Sequence, residues 1–211
     1  MKKINILTVH GAWASPLCFN YIKEKILTSN FYDKNSININ FIDFQYDCMT
    51  EDLYDIISKL GVLIDDLFNE DFYIISHSLG GIISENVSLR KNVKKIITIS
   101  SPLKGIELNY FTKLFVYNKA PFLLKLSPNS PFIKTTESII NSHIKPRLRI
   151  ISIKGFNMGI TEPNDGVVTV RSQFTVRHDL PLTEYIFDNE NHHEILLSWT
   201  VAENIINFLA K

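Results

Sequence analysis

At 211 residues, with 45% apolar and 21% charged side chains, the chain is long enough for one domain with a core of its own and has the composition of an ordinary globular protein. Lys+Arg and Asp+Glu number 22 each, so the formal net charge is zero, and the broad positive field that would hold nucleic acid or an anionic membrane surface is excluded. No apolar run reaches the length of about 18 residues that a membrane span needs. Cys18 and Cys48 stand in no CxxC or metal-type spacing; a disulfide between them stays open, but two free thiols in a reducing compartment is the simpler reading, and a cytoplasmic location is expected.

Met1-Lys2-Lys3 and the apolar residues after it resemble a secretion leader only superficially. Asn5 and Thr8 break the run and no small-residue cleavage site follows, so Ile4 to Val9 reads as a first strand. His10-Gly11-Ala12-Trp13-Ala14 reads as a loop, and Ser15 with Pro16 as the cap and first position of a helix carrying Leu17, Ile22, Ile26 and Leu27 inward. Ser36 to Phe44 is a second strand. Thr50-Glu51-Asp52 opens a helix whose Leu53, Ile56, Ile57, Leu60, Leu63, Ile64, Leu67 and Phe68 fall at helical spacing. Further strands are expected at Phe72 to Ile75, Val93 to Ile99, Arg147 to Lys154 and Glu184 to Phe187. An amphipathic helix with Leu196, Trp199, Ala202, Ile205, Ile206 and Leu209 closes the chain. Alternating strands and helices predict a parallel sheet covered on both faces, in one domain spanning 1–211.

One stretch departs from the alternation. Residues from roughly 103 to 145 contain no strand pattern, are rich in apolar side chains (Leu108, Tyr110, Phe111, Leu114, Phe115, Tyr117, Phe122, Leu123, Leu124), and carry Pro121, Pro128 and Pro131, which argue against a long helix. An insertion of this length forms either a lid or binding wall over a site, or short helices packed on the core.

The chemically informative stretch is Phe72 to Ile83, where a β-branched run meets Ser76-His77-Ser78-Leu79-Gly80-Gly81 and then a helical pattern. Strand, tight turn and helix around a Gly-x-Ser-x-Gly-like element present the serine hydroxyl above the edge of a sheet. Ser76 stands where the signature has Gly. A serine becomes a nucleophile only when a base takes its proton and a third group orients that base. For the acid, Asp165 in Asn164-Asp165-Gly166 is favoured, with Asp179, Asp188 and Glu107 as rivals; Asn-Asp-Gly is also a favoured turn. For the base, His193 is favoured over the adjacent His192. His10 and His77 read as residues that hold backbone rather than as bases. The oxyanion formed on attack calls for backbone N–H donors, expected from Leu79 and from Ala12 in the loop after the first strand. Trp13 either lines the pocket or packs.

Together, His10-Gly11, Ser76 to Gly81, Ser100-Ser101-Pro102-Leu103-Lys104-Gly105, Asp165-Gly166-Val167-Val168-Thr169-Val170-Arg171-Ser172 and His193 resemble the α/β-hydrolase superfamily, in particular its lipase and esterase branch. The resemblance covers nearly the whole chain. It implies a three-layer α/β-hydrolase fold with a reduced, mostly parallel sheet that lacks the N-terminal antiparallel hairpin, and a helical lid-like insertion. It also implies a serine esterase with Ser78 as nucleophile, Asp165 as acid, His193 as base, and Ala12 and Leu79 as oxyanion donors. The substrate would be a small-molecule or lipid-like acyl ester, with no metal or organic cofactor. Thioesterase, amidase or acyltransferase chemistry on the same residues, or a non-catalytic binding protein of the same fold, remain as alternatives.

Overall fold

The computed structural model describes residues 2–29, 37–67, 70–107, 120–142, 144–156, 160–174 and 182–211. Six strands form one sheet: β1 (Lys2–Val9), β2 (Ile37–Phe44), β3 (Phe72–His77), β4 (Val93–Ile99), β5 (Arg147–Ser152) and β6 (Thr183–Asp188). Their spatial order is β2-β1-β3-β4-β5-β6, and every neighbouring pair is parallel. Each strand expected from the sequence is present. The helices are α1 (Asn20–Thr28), α2 (Leu53–Asp66), α3 (Leu79–Asn86), α4 (Phe122–Lys125), α5 (Pro131–Ser142) and α6 (Trp199–Ala210).

Successive strand residues point to opposite faces, and the apolar pattern serves both. Leu7, Val9, Ile74 and Ile96 pack with α2, α3 and α5 on one face. Ile6, Ile75, Ile97 and Ile150 pack with α1 and α6 on the other. Each of these side chains is buried, and each contributes about 1.5–3 kcal/mol by leaving water. The result is a three-layer sandwich. The chain runs from β1 outward to β2, then returns to place β3 on the opposite side of β1. The carboxyl ends of β1 and β3 therefore flank the switch point where open α/β sheets carry their sites.

Local signals were obeyed unevenly. Asp52 caps α2 by accepting from the Tyr54 N–H at 2.8 Å, as the acidic opening predicts. Ser15 makes no side-chain cap, and the turn after it, Pro16–Phe19, is a 3₁₀ helix. That tighter turn shifts the helical phase, so Leu17 is exposed while Phe19, Ile22 and Ile26 are buried; Leu27 is also exposed. Pro131 starts a twelve-residue helix rather than breaking one, because its missing N–H is not needed at a first position.

Within the insertion, residues 108–119 lie outside the described residues, and with them Leu108, Tyr110, Phe111, Leu114, Phe115 and Tyr117; Phe68, Ser36 and the rival acid Asp179 lie outside as well. In the described part, Phe122, Leu126, Phe132, Ile133 and Ile140 are buried in the core shared with α2 and α3. A charged cluster is also wholly interior. Glu85 of α3 accepts from Arg147 at 3.3 Å and pairs with Arg149 at 2.6 Å, all three at the sheet face and out of water. Burial alone would raise the Glu85 carboxyl, but the two guanidinium groups hold it below the usual range.

Candidate active site

Ser78 follows β3 and precedes α3 at φ 53°, ψ −125°, a conformation that L-residues rarely adopt. The elbow is held from three sides. The Ser78 N–H donates to the Ile99 carbonyl at 2.9 Å, Ser76 Oγ donates to the Ile97 carbonyl at 2.8 Å, and the Gly81 N–H donates to the Ser78 carbonyl at 3.0 Å. Two glycines make the turn possible: a Cβ at Gly80 would collide with the carbonyl oxygens of Val9 and His10, and one at Gly81 with Ser101. Ser76, in place of the first glycine of the signature, is fully buried, and its hydroxyl bonds β4.

The sequence-predicted residues converge with one change. His192, rather than His193, meets the serine: its Nε2 lies 3.0 Å from Ser78 Oγ, and its Nδ1 lies 2.7 Å from Asp165 Oδ2. Since a carboxylate only accepts, Nδ1 carries the proton and Nε2 is left to receive one from the hydroxyl. His193 is turned outward because Asn191 Oδ1 accepts from both the His193 and Glu194 N–H groups, at 3.0 and 2.9 Å. This cap starts the 3₁₀ helix Glu194–Leu197 at His193 and leaves that side chain exposed. Of the rival acids, Asp188 accepts from Ser198 Oγ at 3.0 Å beside the start of α6, and Glu107 is exposed.

Asp165 is 1% exposed and saturated with donors. Its Oδ1 accepts from the Val167 and Val168 N–H groups at 3.0 and 2.7 Å, and its Oδ2 accepts from Ser152 Oγ at 2.5 Å and His192. Burial pushes its carboxyl upward, but the bonds and charge from His192, Ser152 and Val168 outweigh burial and keep it below the ordinary value. The Asn164-Asp165-Gly166 turn thus also holds the Asp165 carboxylate against His192. Asn164 Oδ1 accepts from the Gly166 N–H at 2.9 Å, and Gly166 sits at φ +98°.

The loop after β1 touches the elbow. A Cβ placed on Gly11 would lie 2.9 Å from Ser78 Cβ and 3.1 Å from His77 Nδ1. This contact brings Gly11-Ala12 against the serine, and Leu79, the first residue of α3, follows the serine directly. His10 stacks on Tyr46 with ring centres 4.3 Å apart, and the Tyr46 hydroxyl donates to the His10 carbonyl at 2.6 Å. Burial lowers the His10 imidazole, which keeps it neutral. Trp13 adopts φ +55° and is 66% exposed, edge-on to Phe122 with centres 5.4 Å apart; its Nε1–H points at Met49 Sδ, 3.1 Å away. Both Cys18 and Cys48 are free thiols. Among the described residues no three His, Cys, Asp or Glu side chains gather as a metal ion would require, and no helix is long and apolar enough to cross a membrane.

No protein-family model matches the chain, and no curated protein matches it in sequence. Solved structures do. A gene product of Listeria innocua aligns over 100% of this chain and 95% of its own at 18% identity and a TM-score of 0.69. A lipase-esterase related protein from Clostridium acetobutylicum aligns over 97% and 94% at 17% identity and a TM-score of 0.64. The mature form of a Bacillus licheniformis lipase aligns over 96% and 91% at 19% identity and a TM-score of 0.65.

Proposed function

From a chain with the α/β-hydrolase fold, we propose a serine hydrolase that cleaves carboxylic esters through an acyl-serine intermediate. The observation that carries the reading is the continuous hydrogen-bond series from Ser78 Oγ through His192 to Asp165, at 3.0 and 2.7 Å. The strained serine backbone adds to it, since strain of this kind persists where function needs it.

In this reading His192 Nε2 takes the Ser78 proton as Oγ attacks the ester carbonyl carbon. The carbonyl oxygen becomes an oxyanion held by the N–H groups of Ala12 and Leu79. Asp165, kept ionised by its donors, stabilises the imidazolium that forms. The tetrahedral intermediate collapses, the C–O bond to the alcohol breaks, and His192 returns its proton to the departing alkoxide. Water then attacks the acyl-serine with His192 as base, and a second collapse releases the acid and restores the Ser78 hydroxyl. Trp13 and Met49, exposed and apolar beside the oxyanion loop, suit an acyl chain. The lipase and lipase-esterase names among the structural neighbours agree with this class of substrate.

The test is a fluorophosphonate probe with Ser78→Ala and His192→Ala, assayed on matched ester, thioester and amide substrates. Labelling and ester turnover should be lost in both variants, with kcat falling by at least about 10⁴-fold. Undiminished turnover by Ser78→Ala would end the proposal.

A further inference from the structure

The main chain of His192 is fastened as firmly as its ring. Its N–H donates to the Asp165 carbonyl at 3.0 Å, which ties it to the acid turn. Its carbonyl oxygen lies 2.8 Å from Nε2 of His77, the residue immediately before the serine. A carbonyl only accepts, so His77 is the Nε2–H tautomer and donates. Its other nitrogen, Nδ1, is buried beside Gly11 with no hydrogen-bond partner among the described residues, and the ring lies against the His192 ring, whose centre is 4.8 Å away.

We infer that His77 is a positioning residue: it clamps the backbone of His192 to the nucleophile elbow so that the imidazole of His192 stays within reach of Ser78. The inference rests on the serine-hydrolase reading above and deepens it. Four hydrogen bonds then link the three catalytic segments: Ser78 Oγ to His192 Nε2, His192 Nδ1 to Asp165 Oδ2, the His192 N–H to the Asp165 carbonyl, and His77 Nε2–H to the His192 carbonyl. Of these, only the last connects the base loop to the elbow without using the reacting atoms themselves. The Ser78–His192 bond must break and re-form as the proton moves in every turnover, so it cannot also be what holds the loop. The His77 clamp survives each step because neither partner gives up a proton.

A histidine suits this place for a further reason. Complete burial, reinforced by the neighbouring His192, lowers the His77 imidazole to about 3, so the ring stays neutral and keeps one donor and one tautomer over the working pH range. A charged donor would have to be desolvated and would repel the imidazolium of His192 at the moment it forms. His77 itself has no access to substrate, since Gly11 and the elbow cover it.

The experiment compares wild type, His77→Gln and His77→Leu. Gln can place an amide N–H near the position of Nε2; Leu fills the space without a donor. Steady-state hydrolysis of a short p-nitrophenyl ester, the rate of fluorophosphonate labelling and thermal melting are measured for each. Loss of the clamp in His77→Leu should lower kcat by about 10²-fold, with KM changed by less than about threefold and labelling slowed in parallel. His77→Gln should recover most of that loss, a rescue that a purely space-filling role does not predict. Long-range nitrogen–proton NMR correlation on the wild type should show His77 as the neutral Nε2–H tautomer down to about pH 4. This readout stands even if His77→Leu does not fold. An active wild type whose His77→Leu variant folds and keeps its kcat overturns the inference alone, as does a His77 found as the Nδ1–H tautomer. A wild type that neither labels nor hydrolyses overturns the hydrolase reading and this inference with it.

Discussion

Gly11→Ala isolates the contact between the β1 loop and Ser78. The added methyl would sit 2.9 Å from Ser78 Cβ and 3.1 Å from His77 Nδ1. Carbon–carbon contact is comfortable only at about 3.5–4.0 Å, so something must retreat by roughly 0.6–1 Å. The elbow cannot give easily, because Ser78 is bonded to the end of β4 and Gly80 abuts the carbonyls of Val9 and His10. The loop therefore moves, and in the proposed reaction this carries the Ala12 N–H away from the oxyanion. A donor displaced by that distance should lower kcat by about 10²-fold, since loss of one such donor costs roughly 10²–10³. Overpacking should also cost about 1–3 kcal/mol, or roughly 2–12 °C in melting temperature at this chain length. The assay is kcat and KM on a short p-nitrophenyl ester beside a thermal melt. A variant that melts several degrees lower with unchanged kcat would refute the coupling between loop and chemistry. One unchanged in both would refute the tight contact itself.

Asp165→Asn should leave the fold in place but lower kcat by about 10⁴-fold, because an amide can donate to Nδ1 and favour the wrong tautomer; His193→Ala should stay within about threefold of wild type on the same substrate. Glu85→Gln should cost about 3–5 kcal/mol in urea denaturation, because two buried guanidinium groups lose their counter-charge. Replacing Glu85, Arg147 and Arg149 together with apolar residues of similar volume should recover that loss; failure to recover it would mean the cluster is not merely offsetting its own burial. Stability should also fall as pH drops from about 6.5 towards 3. His77 has its folded value at about 3 against an ordinary 6.5, so the unfolded chain binds the extra proton across that window. The slope from this one group is roughly 1.4 kcal/mol per pH unit, and it should disappear in His77→Gln. An identical slope in both proteins would assign it to other groups. Glu85 and Asp165, both held below the ordinary carboxylate range, stabilise above that range and lose their contributions as pH falls further.

The sheet was legible because its strands are short β-branched runs between turn residues, and nothing in the tertiary structure overrides them. The elbow was legible because strand, small residues and helix occur without a gap. The choice between His192 and His193 was not, because spacing treats neighbours alike; it depends on where Asn191 Oδ1 finds its donors, and an Asn three residues before a helical turn is the signal that could have pointed to it. The Glu85 cluster was hidden for a different reason. Its partners lie 62 residues apart in the chain, and Arg-Leu-Arg at the start of β5 looks like an ordinary half-exposed alternation until the helix that covers it carries a carboxylate. Leu17 was misread because a 3₁₀ turn has three residues per turn, not 3.6.

That interior cluster has a consequence for how activity is lost. The helix that follows Ser78 carries Glu85 near its other end, and β5, which supplies both arginines, ends at Ser152, whose hydroxyl steadies Asp165. Ser78 and Asp165 are thus moored to one shared internal keel. Neither can drift while it holds, and both are set adrift when it fails. On gradual heating, ester turnover and far-ultraviolet ellipticity should therefore vanish along one curve, with no warm, well-folded but idle species between them.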